Sequence, residues 1–473
     1  MSNVKIMSIP DKESLFIPVA TARPKSFGLS LTNASIFRRN MLSVWADKAY
    51  QARSLSFKLL NQHYFLCNSS DTVRRVFLDR HDIYDKKSPQ MRNALEPLLG
   101  DGLFASDGEL WQERRKACSP PFESSYLPGF AAVMSQSASE VGDRWASLPD
   151  GSTVDVLNEM AKLTARIIGR TIFGDDVSDE DVATVVSGFT EYQQTIEQLD
   201  YADTFGLPFL KGIVNPMRRK KALKAAAQVH VVIDKIIQRY QQGSRPDQLT
   251  LLSVLLDGEA SVAGRSGCPM SQQAARNEAI VMFMAGHETT ANSLAWAWYL
   301  LDGCERSRNK MYAEIDQVLQ GRTPTFEDVS DLPFTRAVFE ESLRLYPPVP
   351  LLSRQSRGED EIRGAKIKPG TIMLALPWLL HRHEKEWENP NAFYPERFMP
   401  GNPRPDKFIY IPFSVGHRVC LGLRFGLTEG ILCLATLAQR YQLRLRDNHK
   451  VDIECRLTLR PKGGLPMILS KRN

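Results

Sequence analysis

One cysteine, Cys420, lies in the segment of the chain whose residue types best suit metal binding or nucleophilic catalysis, FSVGHRVCLGLRFG. Arg418 places a permanent cation two residues before the sulfur, and the pattern predicts a helix that begins just after Cys420. A nearby cation and a helix N-terminus both lower the pKa of a thiol. A lone cysteine is otherwise most often a buried structural residue. The segment therefore predicts a thiolate that acts as a nucleophile or as a metal ligand.

The residues around this cysteine suit a flat ligand. Gly416 permits a tight turn or a close backbone approach, Phe413 is placed to shield one side of the sulfur, and Gly422 leaves room against the helix. The spacing Phe-x-x-Gly-x-Arg-x-Cys-x-Gly resembles the haem-binding loop of the cytochromes P450. This resemblance implies that Cys420 ligates the iron of haem b (iron protoporphyrin IX) and that Arg418 pairs with a haem propionate.

A long apolar segment, predicted to be a helix over about 271–301, contains the sequence AGHETT. Gly286 in mid-helix costs about 1 kcal/mol relative to alanine. Glu288 follows, although an unpaired charge in an apolar helix is unfavourable, and the hydroxyl of Thr289 can bond back to a carbonyl and bend the helix. From the residues alone, a kinked core helix with a solvated glutamate is also possible.

The same segment is similar to the oxygen-binding groove of the cytochromes P450. The similarity implies that Ala285 and Gly286 lie against the cofactor and that Glu288 and Thr289 form the acid–alcohol pair that relays protons to bound dioxygen. We interpret His287 as a packing residue.

Further residues are candidates for holding the cofactor carboxylates. In WQERR, Trp111 and Arg115 are four residues apart, which places them on one helix face, and both side chains are hydrogen-bond donors only. The family resemblance implies that both bind a propionate. It implies the same for Arg354, after PPVPLLS, and for His381 in LLHR. A surface helix, a structural arginine and a structural histidine are the respective alternatives.

A third segment, FEESLRLYPP, has a structural rather than a catalytic interpretation. Glu341 and Arg344 are three residues apart and share a helix face among apolar neighbours, so the pair is expected to be buried and to need further hydrogen bonds. The resemblance implies that Arg397, in the downstream Pro-Glu-Arg-Phe sequence, is the third partner.

The elements that must position these residues are mostly helical. Helical periodicity dominates from about 109 to 240, and further helices are predicted over about 306–319, 335–346 and 421–440. Strand-like sequence falls in three β-rich parts, at about 50–70, 350–376 and 441–470. The resulting fold class is mainly α with a smaller β-rich part, and the resemblance implies the cytochrome P450 fold, formed by a single catalytic domain over residues 1–473.

Composition excludes several classes of function. The chain has 473 residues with a net charge of +6, too small an excess to indicate nucleic-acid binding. Its seven cysteines are scattered and odd in number, which favours a reducing compartment. The N-terminal sequence has neither a bilayer-spanning apolar run nor a signal-peptide core. We expect a cytoplasmic monomer without a membrane span.

The resemblance to the cytochromes P450 implies a monooxygenase that inserts one atom of O₂ into a lipophilic substrate, by hydroxylation or epoxidation. Only about 50 residues follow Cys420, so electrons from NAD(P)H are expected to come through a separate ferredoxin or flavodoxin and its reductase. Basic residues expected near the cysteine suit an acidic donor: Arg114, Arg115, Lys116, Arg404, Lys407, His417 and Arg424. The alternatives are a peroxide-using or rearranging haem-thiolate enzyme and a non-catalytic haem sensor.

Overall fold

The longest helix runs through the middle of the protein and carries the AGHETT sequence. In the computed structural model it spans Gln272–Gly303, close to the predicted range, and the hydroxyl of Ser271 caps it by accepting from the amide of Ala274 at 3.3 Å. Most of its residues are buried. The structure describes residues 15–24, 40–59, 61–85, 87–175, 177–195, 216–243, 250–257, 270–455 and 457–472.

Helices form most of the described chain, which confirms the mainly α fold. They are α1 (Ser70–Arg74), α2 (His81–Tyr84), α3 (Pro89–Leu99), α4 (Gly108–Cys118), α5 (Leu127–Ala146), α6 (Val156–Phe173), α7 (Asp179–Thr195), α8 (Pro216–Gln241), α9 (Leu251–Asp257), α10 (Gln272–Gly303), α11 (Glu305–Leu319), α12 (Pro333–Leu345), α13 (Pro377–Leu380) and α14 (Leu423–Ala438). A π-helical turn, Arg75–Asp79, connects α1 to α2.

The strands form small sheets. They are β1 (Ser54–Leu59), β2 (Gln62–Cys67), β3 (Thr153–Asp155), β4 (Leu352–Gln355), β5 (Asp360–Ile362), β6 (Ala365–Ile367), β7 (Ile372–Ala375), β8 (Tyr441–Leu445), β9 (Ile453–Cys455), β10 (Leu459–Pro461) and β11 (Pro466–Lys471). One sheet has the order β1-β2-β7-β4, in which only the β2–β7 pair is parallel, and another has the order β3-β11-β8. β5–β6 and β9–β10 form antiparallel pairs.

A large apolar core surrounds α10 because this helix is apolar on nearly all sides. Helices α6, α12 and α14 pack against it, and the core extends along the chain from Leu42 to Leu469. A second apolar cluster lies under the β1-β2-β7-β4 sheet and includes Phe77. In the described ranges no helix is both long and apolar enough to cross a bilayer.

Candidate active site

The cysteine loop has a backbone shape that only glycine permits at Gly416. This residue has φ +73°, and a Cβ atom there would lie 1.9 Å from the carbonyl oxygen of Phe77. Farther along, the amide of Cys420 donates to the carbonyl of Phe413 at 2.9 Å, which closes the loop. The absence of a side chain at Gly416 therefore allows the loop to pack closely against the π-helical turn. The hydrogen bond that closes the loop fixes the position of the sulfur.

The side chain of Cys420 is accessible, whereas the other described cysteines are buried; Cys268 lies outside the described residues. Helix α14 begins at Leu423, as the sequence indicates, with Gly422 as its N-cap. Burial nevertheless raises the pKa of the Cys420 thiol, while the amide of Gly422 and the charge of Arg115 oppose that rise. The start of α14 thus favours the thiolate, as the sequence predicts, but the cation that does so is Arg115 rather than Arg418. A metal cation bound to the sulfur would deprotonate it.

Arg418 is neutralised within the protein. Its guanidinium donates to Asp85 at 2.9 Å, to Asp107 at 3.3 Å and to the carbonyl of Ser106 at 3.0 Å, and it lies 4.3 Å from the ring centroid of Trp111. Two carboxylates and a carbonyl thus occupy three of the five guanidinium donors of the residue that the resemblance assigned to a propionate. The structure gives Arg418 the role of joining the cysteine loop to the start of α4.

Other cations near this arginine lack such compensation. Arg354 is buried, donates only to the carbonyl of Ser353, and has its pKa lowered to about 10 by burial and by the charge of Arg418. Lys87 is also buried, over the ring of Phe104 at 4.4 Å, and burial followed by the charges of Arg354 and Arg418 lowers its pKa strongly. Neither side chain forms an ion pair with any described residue.

Arg115 completes this group of cations. It donates to the carbonyl of Val419 at 2.7 Å, beside Cys420, and burial lowers its pKa. No described carboxylate pairs with it. An accessible thiol beside Arg115, with two further cations near Arg418 of the same loop, fits haem b, which offers one iron and two propionates. Lys87 was not identified from the sequence as a candidate for binding a propionate. Its one distinguishing feature in the sequence is its position directly before the Ser-Pro start of a helix.

His381 does not face this site. Its Nδ1 lies 3.2 Å from the carbonyl of Arg344, and its Nε2 accepts from the amide of Ile411 at 2.9 Å. Burial lowers the pKa of the ring far below its ordinary value. Both ring nitrogens are thus used inside the protein, so the expectation that His381 reaches a propionate is wrong.

The middle of α10 has one face that protein does not cover. Ala285 is exposed, and one turn later Thr289, which is half-buried, donates from Oγ1 to the carbonyl of Ala285 at 2.6 Å. Gly286 has a different reason to be glycine, because a Cβ atom there would lie 2.7 Å from Cδ1 of Ile168 on α6. The small residue therefore permits close packing of α6 on α10.

Glu288 lies on a different side of α10 from this open face. Its carboxylate accepts from Thr458 Oγ1 at 2.6 Å and from Gln193 Nε2, and Arg460 lies 3.7 Å away. These contacts connect α10 to α7 and to the β9–β10 region. Glu288, the predicted acid, is thus buried and hydrogen-bonded. It is adjacent to Thr289 in sequence, but its side chain leaves the helix on a neighbouring side.

His287 packs between α10 and α6, as the sequence interpretation has it. Its Nδ1 lies 3.3 Å from Thr164 Oγ1, and the same hydroxyl donates to the His287 carbonyl at 2.8 Å. Burial lowers the pKa of the ring to about 4, so the imidazole is neutral near pH 7.

The structure also contains a buried acid that the sequence interpretation missed. Glu429 on α14 is fully buried, and its oxygens have no hydrogen-bond partner among the described residues. Burial raises its pKa to about 8, and the hydroxyl of Thr290 on α10, which is nearby but forms no hydrogen bond of good geometry with it, opposes this rise. The signal in the sequence was a single acidic residue in the apolar helix LTEGILCLATLA.

The predicted scaffold pair is confirmed. Glu341 and Arg344 are fully buried and form a bidentate pair at 2.7 and 2.8 Å, and Arg397 donates to Glu341 at 3.1 Å. Arg344 also donates to the carbonyls of His381, at 2.7 Å, and of Ala392, at 2.9 Å. These bonds supply the additional partners that a buried pair needs.

The basic residues expected near the cysteine fall into two groups. Arg114 and Arg115 turn inward, and the guanidinium of Arg114 lies 3.2 Å from Asp101 and 3.5 Å from Glu278. The other members are exposed, and Arg424 is hydrogen-bonded to Ser124. The exposed members are Lys116, Arg404, Lys407, His417 and Arg424.

Comparison with known proteins supports one family. The family model described as Cytochrome P450 matches residues 33–467. The chain is 31% identical over 454 residues to "Cyclooctatin synthase" of Streptomyces melanosporofaciens, which covers 94% of this chain and 95% of that protein. It is 30% identical over 388 residues to "Cyclooctat-9-en-7-ol 5-monooxygenase" of the same organism, covering 80% of each.

A solved structure shows the same fold. The crystal structure of the cytochrome P450DA heme domain superposes with a TM-score of 0.76 at 23% sequence identity, over 89% of this chain and 90% of that one.

Proposed function

Because this chain belongs to the cytochrome P450 family, we propose that it is a haem-thiolate monooxygenase that inserts one atom of O₂ into a lipophilic substrate by hydroxylation or epoxidation. One observation carries the assignment: the accessible thiol of Cys420 lies beside Arg115, and Arg418 of the same loop lies near the buried cations Lys87 and Arg354, which form no ion pair with a described residue. We also propose that the chain is one catalytic domain, since its main core extends from Leu42 to Leu469.

The residues that would hold haem b fall into two groups, a sulfur ligand for the iron and cations for the propionates. Cys420 would bind the iron, and Arg115, Arg354 and Lys87 would bind the two propionates, whose negative charges offset the mutual repulsion of these cations. When bound, the haem supplies the activation of dioxygen. The protein supplies the sulfur ligand, the orientation and the protons. Gly416 and the closing bond from Cys420 to Phe413 keep the sulfur in place during turnover.

Protons would reach the reacting oxygen through the open face of α10. The hydroxyl of Thr289 can both donate and accept, and at rest it donates to the carbonyl of Ala285. Rotation about χ1 would turn this donor toward the uncovered side of the helix. Glu288 is the adjacent acid, which its contacts with Thr458 and Gln193 hold in place. We assign Glu288 the supply of protons and Thr289 their delivery.

Electrons would come from NAD(P)H through a ferredoxin or flavodoxin. Lys116, His417 and Arg424 are exposed on the cysteine loop and on the helices that flank it, α4 and α14. An acidic donor would be steered to this surface by charge, and the association would weaken at high ionic strength.

The substrate is proposed from the relatives. The Streptomyces protein named for cyclooctat-9-en-7-ol acts, by that name, on an unsaturated alcohol. A similar apolar skeleton with few polar groups suits the apolar residues that surround α10 in this chain. We therefore propose an unsaturated, largely apolar substrate of this kind.

The experiment that tests the ligand uses Cys420→Ser, with Cys304→Ser as a matched control because Cys304 is buried away from this loop. Reduced wild-type protein and the control should show, with carbon monoxide, the red-shifted absorption band of a thiolate haem, and Cys420→Ser should lose it. A wild-type band typical of histidine-ligated haem would refute the assignment.

The reaction class needs a second measurement. NAD(P)H-dependent product formation with surrogate donor proteins is expected. Product formed from peroxide alone, or without any oxidant, would favour the peroxide-using or rearranging enzymes, and haem binding without product from any screened lipophile would favour a sensor.

A further inference from the structure

The outer face of α8 combines exposed cations with exposed apolar side chains. We propose that this face binds an anionic lipid surface and holds the protein peripherally at a membrane. The inference does not depend on the chemistry proposed for Cys420. It concerns the first four turns of Pro216–Gln241, whose sequence begins PMRRKKALK.

The charges on this face have no ion-pair partner among the residues that the structure describes. The side chains of Arg219, Lys220, Lys221 and Lys224 are exposed, and none forms an ion pair with a described residue. The only acid in the helix is Asp234, which pairs with Arg276 at 2.9 Å. Cations in the first turns of a helix oppose its macrodipole and destabilise it. Their presence is therefore explained better by an external anionic partner than by the stability of the helix.

Large apolar side chains are exposed among these cations. Met217 is 71% exposed, Leu223 48% and Val231 53%, and they are three of the five large apolar side chains that are exposed in the described part of the chain. Met217, Lys220, Lys224 and Val231 are separated by three, four and seven residues, so they lie along one side of the helix. Apolar and cationic groups thus share a surface about two to four turns long.

The opposite side of α8 fixes the helix to the protein. Ala225, Ala226, Val229 and Ile233 are buried, and the helix packs against α7 and α10. The outer face is therefore presented by a rigid element. A helix with lysines beside exposed apolar residues is typical of elements that lie in the bilayer interface. A nucleic acid would be bound chiefly by the cations, so the exposed Met217 and Leu223 favour a lipid surface over a nucleic acid. Lipophilic substrates also partition into bilayers.

The test is co-sedimentation of the full-length protein with phosphatidylcholine vesicles, with and without phosphatidylglycerol. Wild type should bind only the anionic vesicles, and salt should weaken the binding. Lys220→Glu/Lys224→Glu should bind at least about 30-fold more weakly, since each lysine contributes about 5-fold near an anionic surface. The matched control is Lys366→Glu/Lys368→Glu, which changes the net charge equally at two exposed lysines on β6 and just after it. The control should bind like wild type.

A second variant separates lipid from other anionic partners. Met217→Ser/Leu223→Ser removes the apolar groups and keeps the charge, so it should bind anionic vesicles more weakly but be retained on heparin like wild type. Circular dichroism and haem content verify that each variant is folded. The proposal is overturned if wild type does not bind anionic vesicles at low salt, if both lysine pairs weaken binding equally, or if the serine variant binds vesicles undiminished. The last outcome would indicate an acidic macromolecule.

Discussion

Replacing Glu429 by glutamine should remove a large part of the pH dependence of stability. In the folded protein burial raises the pKa of this carboxyl to about 8, from an ordinary value of 4.5. Between these values the folded state binds one proton more than the unfolded state, so stability is fully present below about pH 4.5 and falls as the pH rises toward 8. Each pH unit within this window corresponds to about 1.4 kcal/mol. Glutamine cannot ionise and should abolish this contribution.

The measurement is the urea midpoint of the haem-bound wild type and of Glu429→Gln at several pH values, converted to free energy with the common slope. The variant should gain about 3 kcal/mol relative to wild type between about pH 5 and pH 7. Taking the difference in unfolding free energy between variant and wild type at each pH cancels the contributions of the other titrating groups. The control is Glu113→Gln, an exposed acid on α4, which should show no such trend. A constant difference between wild type and Glu429→Gln across this range would refute the buried, protonated state of Glu429.

Three further outcomes are expected. Glu341→Ala leaves the buried Arg344 and the partly buried Arg397 without their carboxylate, so it should lose about 3–5 kcal/mol of stability, and a haem-replete variant with an unchanged urea midpoint would contradict this. Gly416→Ala introduces a Cβ atom 1.9 Å from a backbone oxygen, so its haem content and thiolate spectrum should be lost, and an unchanged carbon monoxide band would show that the loop can move. Thr289→Ala should still consume NAD(P)H but release peroxide, and Glu288→Gln should slow turnover by about 10²–10⁴-fold; unchanged ratios of product to NAD(P)H in both would exclude this relay.

Elements with strong local patterns could be predicted from the sequence. The long apolar helix was expected over about 271–301 and spans Gln272–Gly303, and the β-rich part expected at about 50–70 contains β1 and β2. The buried Glu341–Arg344 pair followed from their spacing and their apolar neighbours. In each case the determining interactions lie within a few residues, or one face of an element is uniformly apolar.

Interactions between distant segments could not be predicted in this way. Arg418 pairs with Asp85 and Asp107, more than 300 residues away in the chain, and no local pattern indicates which acids will lie near it. The partners of His381 could not be predicted either, because its ring nitrogens contact backbone groups, which every residue provides. Lys87 had no local signal that distinguished it from a surface lysine.

The uncompensated cations have a consequence for the order in which the protein matures. Lys87 and Arg354 repel each other and Arg418 within the folded chain, so the polypeptide by itself carries an internal electrostatic stress. Small anions in the medium would relieve this stress in the newly made chain, and the same anions would compete with the propionates for the site. Salt should thus stabilise the haem-free polypeptide while slowing its loading with haem.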